Sequence, residues 1–359
     1  MKIVKIGIVG CGRVFEHYKK IFKKRKVNDF KIIVVCDLKL NTAKKASKYF
    51  KCDFTLDYSH MLNEYKDKID LIIILSPSGL HFKHSKLALQ NDCHVLCEKP
   101  VTMIPSDVKI LKSLSKRKKL MFGIVFQNRF NKSIQTLKRF FDKGKFGKLS
   151  IINVRLLWSR YQKYYNDEWH GTWENDGGVT NQQAIHHIDV ARWIFGPIQE
   201  VNSIMSNQIN NLQAEDTNNA ILKFKNGAVG SIQATTSVRP ADLTASLEVI
   251  GEKGFMVIGG IALNRIEKFY FKRLSKYEKK LLKSSNEIVE NGYGNSHTII
   301  LDYAIKNILK KNNKFPISLN DGYDTSILVH ALYKSDEKRK WIKLSNNIKS
   351  NRLGVLGVK

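Results

Sequence analysis

Through the first 126 residues, short apolar runs alternate with amphipathic stretches, and nothing else in the chain constrains its fold so tightly. The runs are "KIGIVG", "KIIVVCD", "IDLIIILS", "HVLCEKP" and "LMFGIVF"; among the stretches between them are "HYKKIFKKRK", "NTAKKASKYF", "HSKLALQN" and "SDVKILKSLSKRK". A strand that is apolar at nearly every position is buried on both faces, which requires helices above and below its sheet. Strand and helix in turn therefore predict β-α-β units in an α/β chain whose N-terminal part is a doubly wound parallel sheet of Rossmann type.

Beyond Phe126 the pattern changes. "NNAILKF" and "GAVGSIQATTSV" alternate apolar and polar residues, and Asn226-Gly227 between them is a hairpin signal. "LTASLEVIGEKG" and "RIEKFYFKRL" read as further strands. The expected second domain is a large, mostly antiparallel sheet, with helices at about 178–195, 297–310 and 323–334 over one face. A length of 359 residues suits two domains, placed at 1–125 and 126–359.

Lys and Arg number 61 against 32 Asp and Glu, a net charge of +29. A nucleic-acid binder concentrates such charge on one recognition element with interleaved aromatics. Here the lysines run along nearly every amphipathic segment, so no nucleic-acid partner is expected, and the positive field instead favours a small anionic ligand. The longest apolar runs fall far short of the roughly 20 residues that span a bilayer. Glycines interrupt the run in "MKIVKIGIVG" and no cleavage site follows it, which predicts a cytoplasmic protein without a membrane partner. Cys11, Cys36, Cys52, Cys93 and Cys97 form no C-x-x-C pair. Buried reduced thiols are expected of them, and no metal, although Cys93, His94 and Cys97 are spaced closely enough to raise the question.

"GIVGCGRVFEHY" ends a strand and opens a helix. Gly10 permits a tight turn, and Gly12 lets the backbone approach a pyrophosphate at the N-terminus of the helix. Phe15 occupies the position of the third glycine of the dinucleotide fingerprint. Asp37 ends the second strand, where a carboxylate accepts hydrogen bonds from adenosine ribose hydroxyls and repels a 2′-phosphate. The expected cofactor is therefore NAD rather than NADP, with Lys39 and Lys44 as the residues that oppose this preference. Glu98, Lys99 and Pro100 of "CEKP" stand at the carboxyl end of another strand, where open α/β sheets hold ligands. A lysine there is either a surface residue or one aimed at a substrate hydroxyl.

In "NDGGVTNQQAIHHID" (175–189) two histidines are adjacent. In a helix starting at Gly178, positions 182, 186 and 189 share a face, which groups Gln182, His186 and Asp189 and turns His187 away by about 100°. The residues alone leave each histidine as either a core or a catalytic one.

With "GIVGCGR", "SPSGLHFKHSKLAL", "HVLCEKP" and "DGGVTNQQAIHHIDVARWIFG" in this order, the chain resembles the Gfo/Idh/MocA oxidoreductases, the glucose–fructose oxidoreductase and inositol dehydrogenase family, to about Leu344. The resemblance implies a Rossmann domain followed by an α/β domain with an open-faced sheet used for oligomer contacts, hence a homo-oligomer, dimer or tetramer. It implies catalysis by Lys99 and His186 and so separates His186 from His187. Cofactor contacts are expected at Gly10, Gly12, Arg13, Val14, Asp37, Ser76, His81, Glu98, Lys99 and Gln127. Many members carry an aspartate where this chain has Gln182. Together with "FQNRFNKSIQTL", "LWSRYQKYYND" and "WHGTWENDGG", that change looks similar to bacterial UDP-N-acetylglucosaminuronate 3-dehydrogenases of lipopolysaccharide biosynthesis. Those enzymes oxidise the sugar 3-hydroxyl of a UDP-sugar and can recycle NADH with 2-oxoglutarate; His170 stands where they carry arginine.

Substrate contacts are expected from Arg129, Asn131, Arg160, Tyr164 or Tyr165, Gln182 and Asp189, since arginine offers a planar fork to anions and tyrosine a stacking face. A secondary alcohol releases hydride only as its O–H proton leaves. His186, titrating near neutrality, is the candidate base, and Lys99 the group that stabilises the alkoxide or relays the proton, although the two roles are exchangeable. A dehydrogenase of free sugars or polyols such as myo-inositol, and a dinucleotide-binding sensor without turnover, are the alternatives.

Overall fold

Leu71, Ile72, Ile73 and Ile74 have no exposed surface, as the middle strand of a sheet covered on both faces requires. They form β4 of a computed structural model that describes residues 3–25 and 28–357; Lys26, which ends one expected helix, lies outside the described residues. The chain divides into one unit of residues 1–126 with 297–323 and another of 127–296 with 324–359.

The first unit holds β1 (Val4–Val9), β2 (Phe30–Cys36), β3 (Asp53–Thr55), β4 (Leu71–Ile74), β5 (His94–Cys97) and β6 (Phe122–Ile124). All pairs are parallel, in the order β3-β2-β1-β4-β5-β6. Its helices are α1 (Arg13–Lys24), α2 (Leu40–Phe50), α3 (Tyr58–Glu64), α4 (His81–Gln90) and α5 (Pro105–Lys118). α1 buries Phe15, Tyr18, Ile21 and Phe22 at helical spacing and ends in Lys23 and Lys24. α5 starts on Pro105 with Asp107 in its first turn and ends in Lys116, Arg117 and Lys118, as the helix dipole favours. The sequence reading missed β3 and α3. β3 has three residues, two of them exposed, too short and polar for an apolar-run signal. Strand order reverses between β1 and β4, which opens a crevice beyond their carboxyl ends.

The second unit contains α6 (Lys132–Asp142), β7 (Leu149–Leu157), α7 (Val179–Gln182), α8 (Ile185–Phe195), β8 (Ile198–Ser206), β9 (Thr217–Phe224), β10 (Val229–Thr235), β11 (Thr244–Gly251), β12 (Gly254–Gly259), β13 (Arg265–Phe271) and α9 (Lys276–Ser284). After α10 (His297–Leu309) and α11 (Leu319–Lys338), the short β14 (Ile342–Lys343) completes the order β13-β12-β11-β7-β10-β9-β8-β14. Among the described residues of this sheet, β7 and β10 pair in parallel and the other neighbours pair antiparallel. Burial alternates along β7, β9 and β10. One face packs against Ile134, Leu137 and Phe140 of α6, Ile188, Ile194 and Phe195 of α8, and Leu328 and Leu332 of α11. On the other face Ile204, Ile221 and Val229 are exposed. The turn at Asn226-Gly227 forms as expected: Gly227 has φ +89° and the Phe224 N–H donates to the Ala228 carbonyl at 2.9 Å.

Two expectations need correction. The helix expected over 178–195 is two helices, broken at Gln183 and Ala184. The helix expected at 297–310 belongs to the first unit, so that unit is not confined to residues 1–125. α10 packs on α1 and β1 and buries His297, Ile300, Leu301, Ala304 and Ile305; Arg25, at the end of α1, ion-pairs with Asp302. Its place in the chain gives no hint of this return. Leu301 is fully buried, so Leu301→Ala should cost about 2–5 kcal/mol by denaturant unfolding; a loss below about 0.5 kcal/mol would mean that α10 is no part of that core.

Candidate active site

The glycine loop is shaped by contact with β4. Gly10 has φ +88°, and a Cβ there would lie 2.5 Å from the Ser76 nitrogen and 2.6 Å from the Leu75 carbonyl carbon, so only glycine lets β1 turn here. A Cβ on Gly12 would meet nothing within 4 Å. Gly12 precedes α1 without a side-chain cap, and a helix N-terminus favours an anion through its N–H groups and its dipole. Arg13 is exposed and Val14 half-buried beside them. A cavity of about 310 Å³ opens here, lined by Gly12, Arg13, Lys19, Thr42 and Lys45 among others. Phe15, in the third glycine's place, is buried against Phe50 with ring centroids 5.7 Å apart, so an aromatic contact replaces the usual close helix–strand approach.

Asp37 closes the loop. Its Oδ2 accepts from the Cys11 N–H at 2.8 Å and its Oδ1 from the Lys39 N–H at 2.9 Å. Each oxygen keeps a lone pair for a ribose hydroxyl. The tight turn at Gly10, the open space over Gly12 and this carboxylate together fit a dinucleotide.

Beyond β5, the Lys99–Pro100 bond is cis and Lys99 is half-buried. Glu98 is buried; its Oε1 accepts from the Tyr18 hydroxyl at 3.2 Å and lies 3.7 Å from Nε2 of His297. Burial pushes its carboxyl up to about 7, opposed by the charge of Lys99. Ser76 Oγ lies 2.9 Å from His84 Nδ1. His81 is fully enclosed, with Nδ1 2.6 Å from the Pro100 carbonyl oxygen and Nε2 2.8 Å from that of Ser76. Burial lowers its pKa to about 4, and the neutral ring donates to only one of these carbonyls. His81 and Glu98, expected at the cofactor, are thus engaged inside the protein, where they fix the turn that carries Lys99.

In the second unit Gln182 ends α7 and His186 lies in the first turn of α8. Gln182 is buried, His186 half-buried and His187 fully buried. The ring of His187 meets Trp158 edge to face at 6.3 Å, and neither of its nitrogens has a hydrogen-bond partner. Burial alone lowers its pKa to about 4. Asp189 does not join Gln182 and His186: it has no exposed surface, and Arg129 donates to it through Nε and Nη2, both at 2.7 Å, while Thr325 Oγ1 donates at 2.7 Å. Arg129 and Asp189, expected as substrate ligands, are a buried structural pair. Asn131 is likewise committed, donating to the Ala262 carbonyl at 2.6 Å and accepting from Ser296 at 2.7 Å. Gln127 is buried in the short turn before α6.

Arg160 remains accessible and forms an aromatic cluster. Its guanidinium lies 4.9 Å from the Trp158 ring and 5.8 Å from the Tyr164 ring, with Nη1 3.1 Å from Asp242. Tyr164 is half-buried. Tyr165 is buried with its hydroxyl 2.7 Å from Thr236 Oγ1, so of the two only Tyr164 offers a face. His170 packs on Trp169 and Tyr164, with Nδ1 2.5 Å from Asp167 Oδ2. Cys93, His94 and Cys97 do not converge: the Cys93 thiol faces the Ile69 carbonyl, and His94 Nδ1 accepts from the Met121 N–H. Burial raises the Cys93 pKa to about 12 and the Cys97 pKa further. Among the described residues, no group of three or more His, Cys, Asp or Glu is placed to hold a metal, and no helix is long and apolar enough to cross a membrane.

Residues 4–126 match the model of an oxidoreductase family with an NAD-binding Rossmann fold, and residues 134–257 match the C-terminal domain of the same GFO/IDH/MocA family. The chain belongs to the Gfo/Idh/MocA oxidoreductase family. D-glucoside 3-dehydrogenase of Escherichia coli is 27% identical over 201 residues, 54% of this chain and 54% of that protein; the match thus spans about half the length of that relative. Myo-inositol 2-dehydrogenase of Thermotoga maritima is 24% identical over 353 residues, 96% of this chain and 100% of that one. The WlbA dehydrogenase of Chromobacterium violaceum, solved with NADH and UDP-GlcNAcA, is 29% identical with a TM-score of 0.88, covering 96% of this chain and 97% of its own. The WlbA dehydrogenase of Bordetella pertussis, with the same ligands, gives 27% and 0.89 over 96% and 98%.

In this Gfo/Idh/MocA chain the sequence reading missed Tyr18 and His297, which enclose Glu98, and Glu215 and Tyr333, which support the start of α7. An adjacent acidic pair, Glu215-Asp216, before an alternating strand was a signal for the second of these. Two predictions follow from the geometry. Asp37→Ala removes the charge that opposes a 2′-phosphate and should shift the NAD:NADP affinity ratio about tenfold or more toward NADP; an unchanged ratio would mean that Asp37 does not face the ribose. His187 titrates near 6.5 when unfolded and near 4 when folded, so above pH 6.5 it contributes nothing. As pH falls from 6.5 to 4 the unfolded state takes up the proton first and stability drops, by about 2 kcal/mol at pH 5. His187→Leu should remove that share of the acid sensitivity in pH-dependent melts, and an identical pH profile in the variant would refute the assignment.

Proposed function

We propose that the protein is an NAD-dependent dehydrogenase that oxidises the 3-hydroxyl of a UDP-linked N-acetylated hexuronic acid. The observation that carries this reading is the likeness to two dehydrogenases solved with NADH and UDP-GlcNAcA, over 96% of the chain. The accessible Arg160 and Tyr164 support it by offering a cation and a ring face to a nucleotide diphosphate. The net charge of +29 draws such a dianionic or trianionic substrate to the surface.

NAD, when bound, accepts a hydride from the sugar carbon. The chain supplies the rest. The glycine turn at the N-terminus of α1 and Asp37 hold the dinucleotide. His186, half-buried and at the head of its helix, takes the hydroxyl proton, and Lys99 holds its ammonium toward the developing alkoxide. Gln182 is neutral and orients a hydroxyl without removing a proton. This reading includes reduction of 2-oxoglutarate to recycle the cofactor, and a role in the cytoplasmic steps of surface-polysaccharide synthesis. It also includes a homo-oligomer formed through the sheet face that exposes Ile204, Ile221 and Val229.

Incubation with UDP-N-acetylglucosaminuronate should give a 3-keto nucleotide sugar by mass spectrometry, in a yield that rises with 2-oxoglutarate. Reduction of NAD by myo-inositol or glucose, and not by the nucleotide sugar, would favour a polyol dehydrogenase, a reading supported by the full-length myo-inositol relative. Lys99→Ala and His186→Ala should each lower kcat at least about a hundredfold, and His186→Ala should leave NADH affinity within about twofold by fluorescence titration. Near-normal turnover in either variant would remove that residue from the chemistry.

A further inference from the structure

α7 has four residues, Val179–Gln182, and a single turn of helix does not hold itself in water. Its support comes from far along the chain. Glu215, buried before β9, accepts the Thr180 N–H at 2.9 Å on Oε1, and the Tyr333 hydroxyl of α11 donates to the same oxygen at 3.0 Å. The Tyr333 oxygen in turn accepts the Gly178 N–H at 3.2 Å, and the Glu215 carbonyl accepts the Val179 N–H at 2.9 Å. Asn218 Nδ2 donates to Thr180 Oγ1 at 3.0 Å. Three consecutive N–H groups at the start of the helix, which have no partners inside it, are thus satisfied by two residues outside it. The fit is close: a Cβ on Gly178 would lie 1.9 Å from the Glu215 carbonyl oxygen and 2.4 Å from its Oε2.

We propose that Glu215, braced by Tyr333, is a positioning residue that sets the place of Gln182 and His186 by holding the first turn of α7. The inference rests on the reading of His186 as the base. α7 runs into α8 through hydrogen bonds from the Ala184 N–H to Val179 and from the His187 N–H to Ala184, 2.8 and 2.9 Å, so a shift at Gly178–Thr180 is passed to His186. Misplacement of a base by an ångström costs turnover and not cofactor affinity. Gly178 is glycine because Glu215 occupies the space of its side chain.

The test compares Glu215→Ala, Glu215→Gln and Gly178→Ala with the unaltered full chain in steady-state kinetics, NADH fluorescence titration and an NMR titration of the His186 ring. Glu215→Ala and Gly178→Ala should lower kcat by about tenfold or more and shift the His186 titration, with NADH affinity within about twofold. Glu215→Gln, whose amide oxygen still accepts from Thr180 and Tyr333, should recover kcat to within about threefold. Wild-type kcat in Gly178→Ala, or a glutamine variant as impaired as the alanine variant, would overturn the proposal. If Glu215→Ala does not fold, Gly178→Ala and Glu215→Gln carry the test. If the unaltered protein oxidises no nucleotide sugar, the substrate reading fails, and the His186 titration still decides: an unmoved titration in Gly178→Ala overturns the positioning role.

Discussion

The first unit depends on the approach of Gly10 to the backbone of Leu75 and Ser76. β1 and β4 lie side by side where strand order reverses, and a crevice at such a point is useful only if both chains can leave their strands without filling it. A Cβ at position 10 would lie 2.7 Å from the Leu75 carbonyl oxygen, so a side chain would force the two exits apart. With glycine, the Gly10 N–H reaches the Cys36 carbonyl at 2.8 Å and the Cys11 N–H reaches Asp37. The loop is thereby fixed to β2 on one side and pressed on β4 on the other. The place where α1 starts and the position of Asp37 both follow from that one contact.

In the second unit a comparable constraint is ionic. Arg129 and Asp189 retain 3% and 0% of their side-chain exposure, and removing two charges from water costs several kcal/mol each. Two parallel hydrogen bonds from Arg129 and a third from Thr325 to Oδ1 offset that cost. The geometry fixes the rotation of α8 with a directionality that Ile188 and Ile194 do not supply. An arginine in "QNRF" looks like an anion ligand in sequence; its partner lies 60 residues away, and no local spacing reports that.

Legibility in sequence followed range. The five apolar runs became β1, β2, β4, β5 and β6 because burial on both faces is written into every residue of a strand. The Asn-Gly turn and the glycine loop were legible because glycine there answers a local backbone demand. What escaped was set by distant partners: the return of α10 to the first unit, the engagement of Glu98 by Tyr18 and His297, and the commitment of Asn131 to Ala262 and Ser296. The break between α7 and α8 escaped for a related reason. "VTNQQAIHHID" carries neither proline nor glycine, and the helical spacing of Gln182, His186 and Asp189 assumed an unbroken axis, whereas the helix is interrupted at Gln183 and Ala184.

The two adjacent histidines show what a sequence leaves to the fold. Both have the same side chain and nearly the same position, yet one ring is half-open and the other is sealed against Trp158. Burial holds the His187 pKa near 4, so at neutral pH that ring carries no charge and offers no path for a proton to leave. A base that turns over must exchange its proton with solvent or with a neighbouring acid, and a sealed imidazole does neither. That requirement excludes His187 from the pair, and desolvation, rather than residue type or spacing, excludes it.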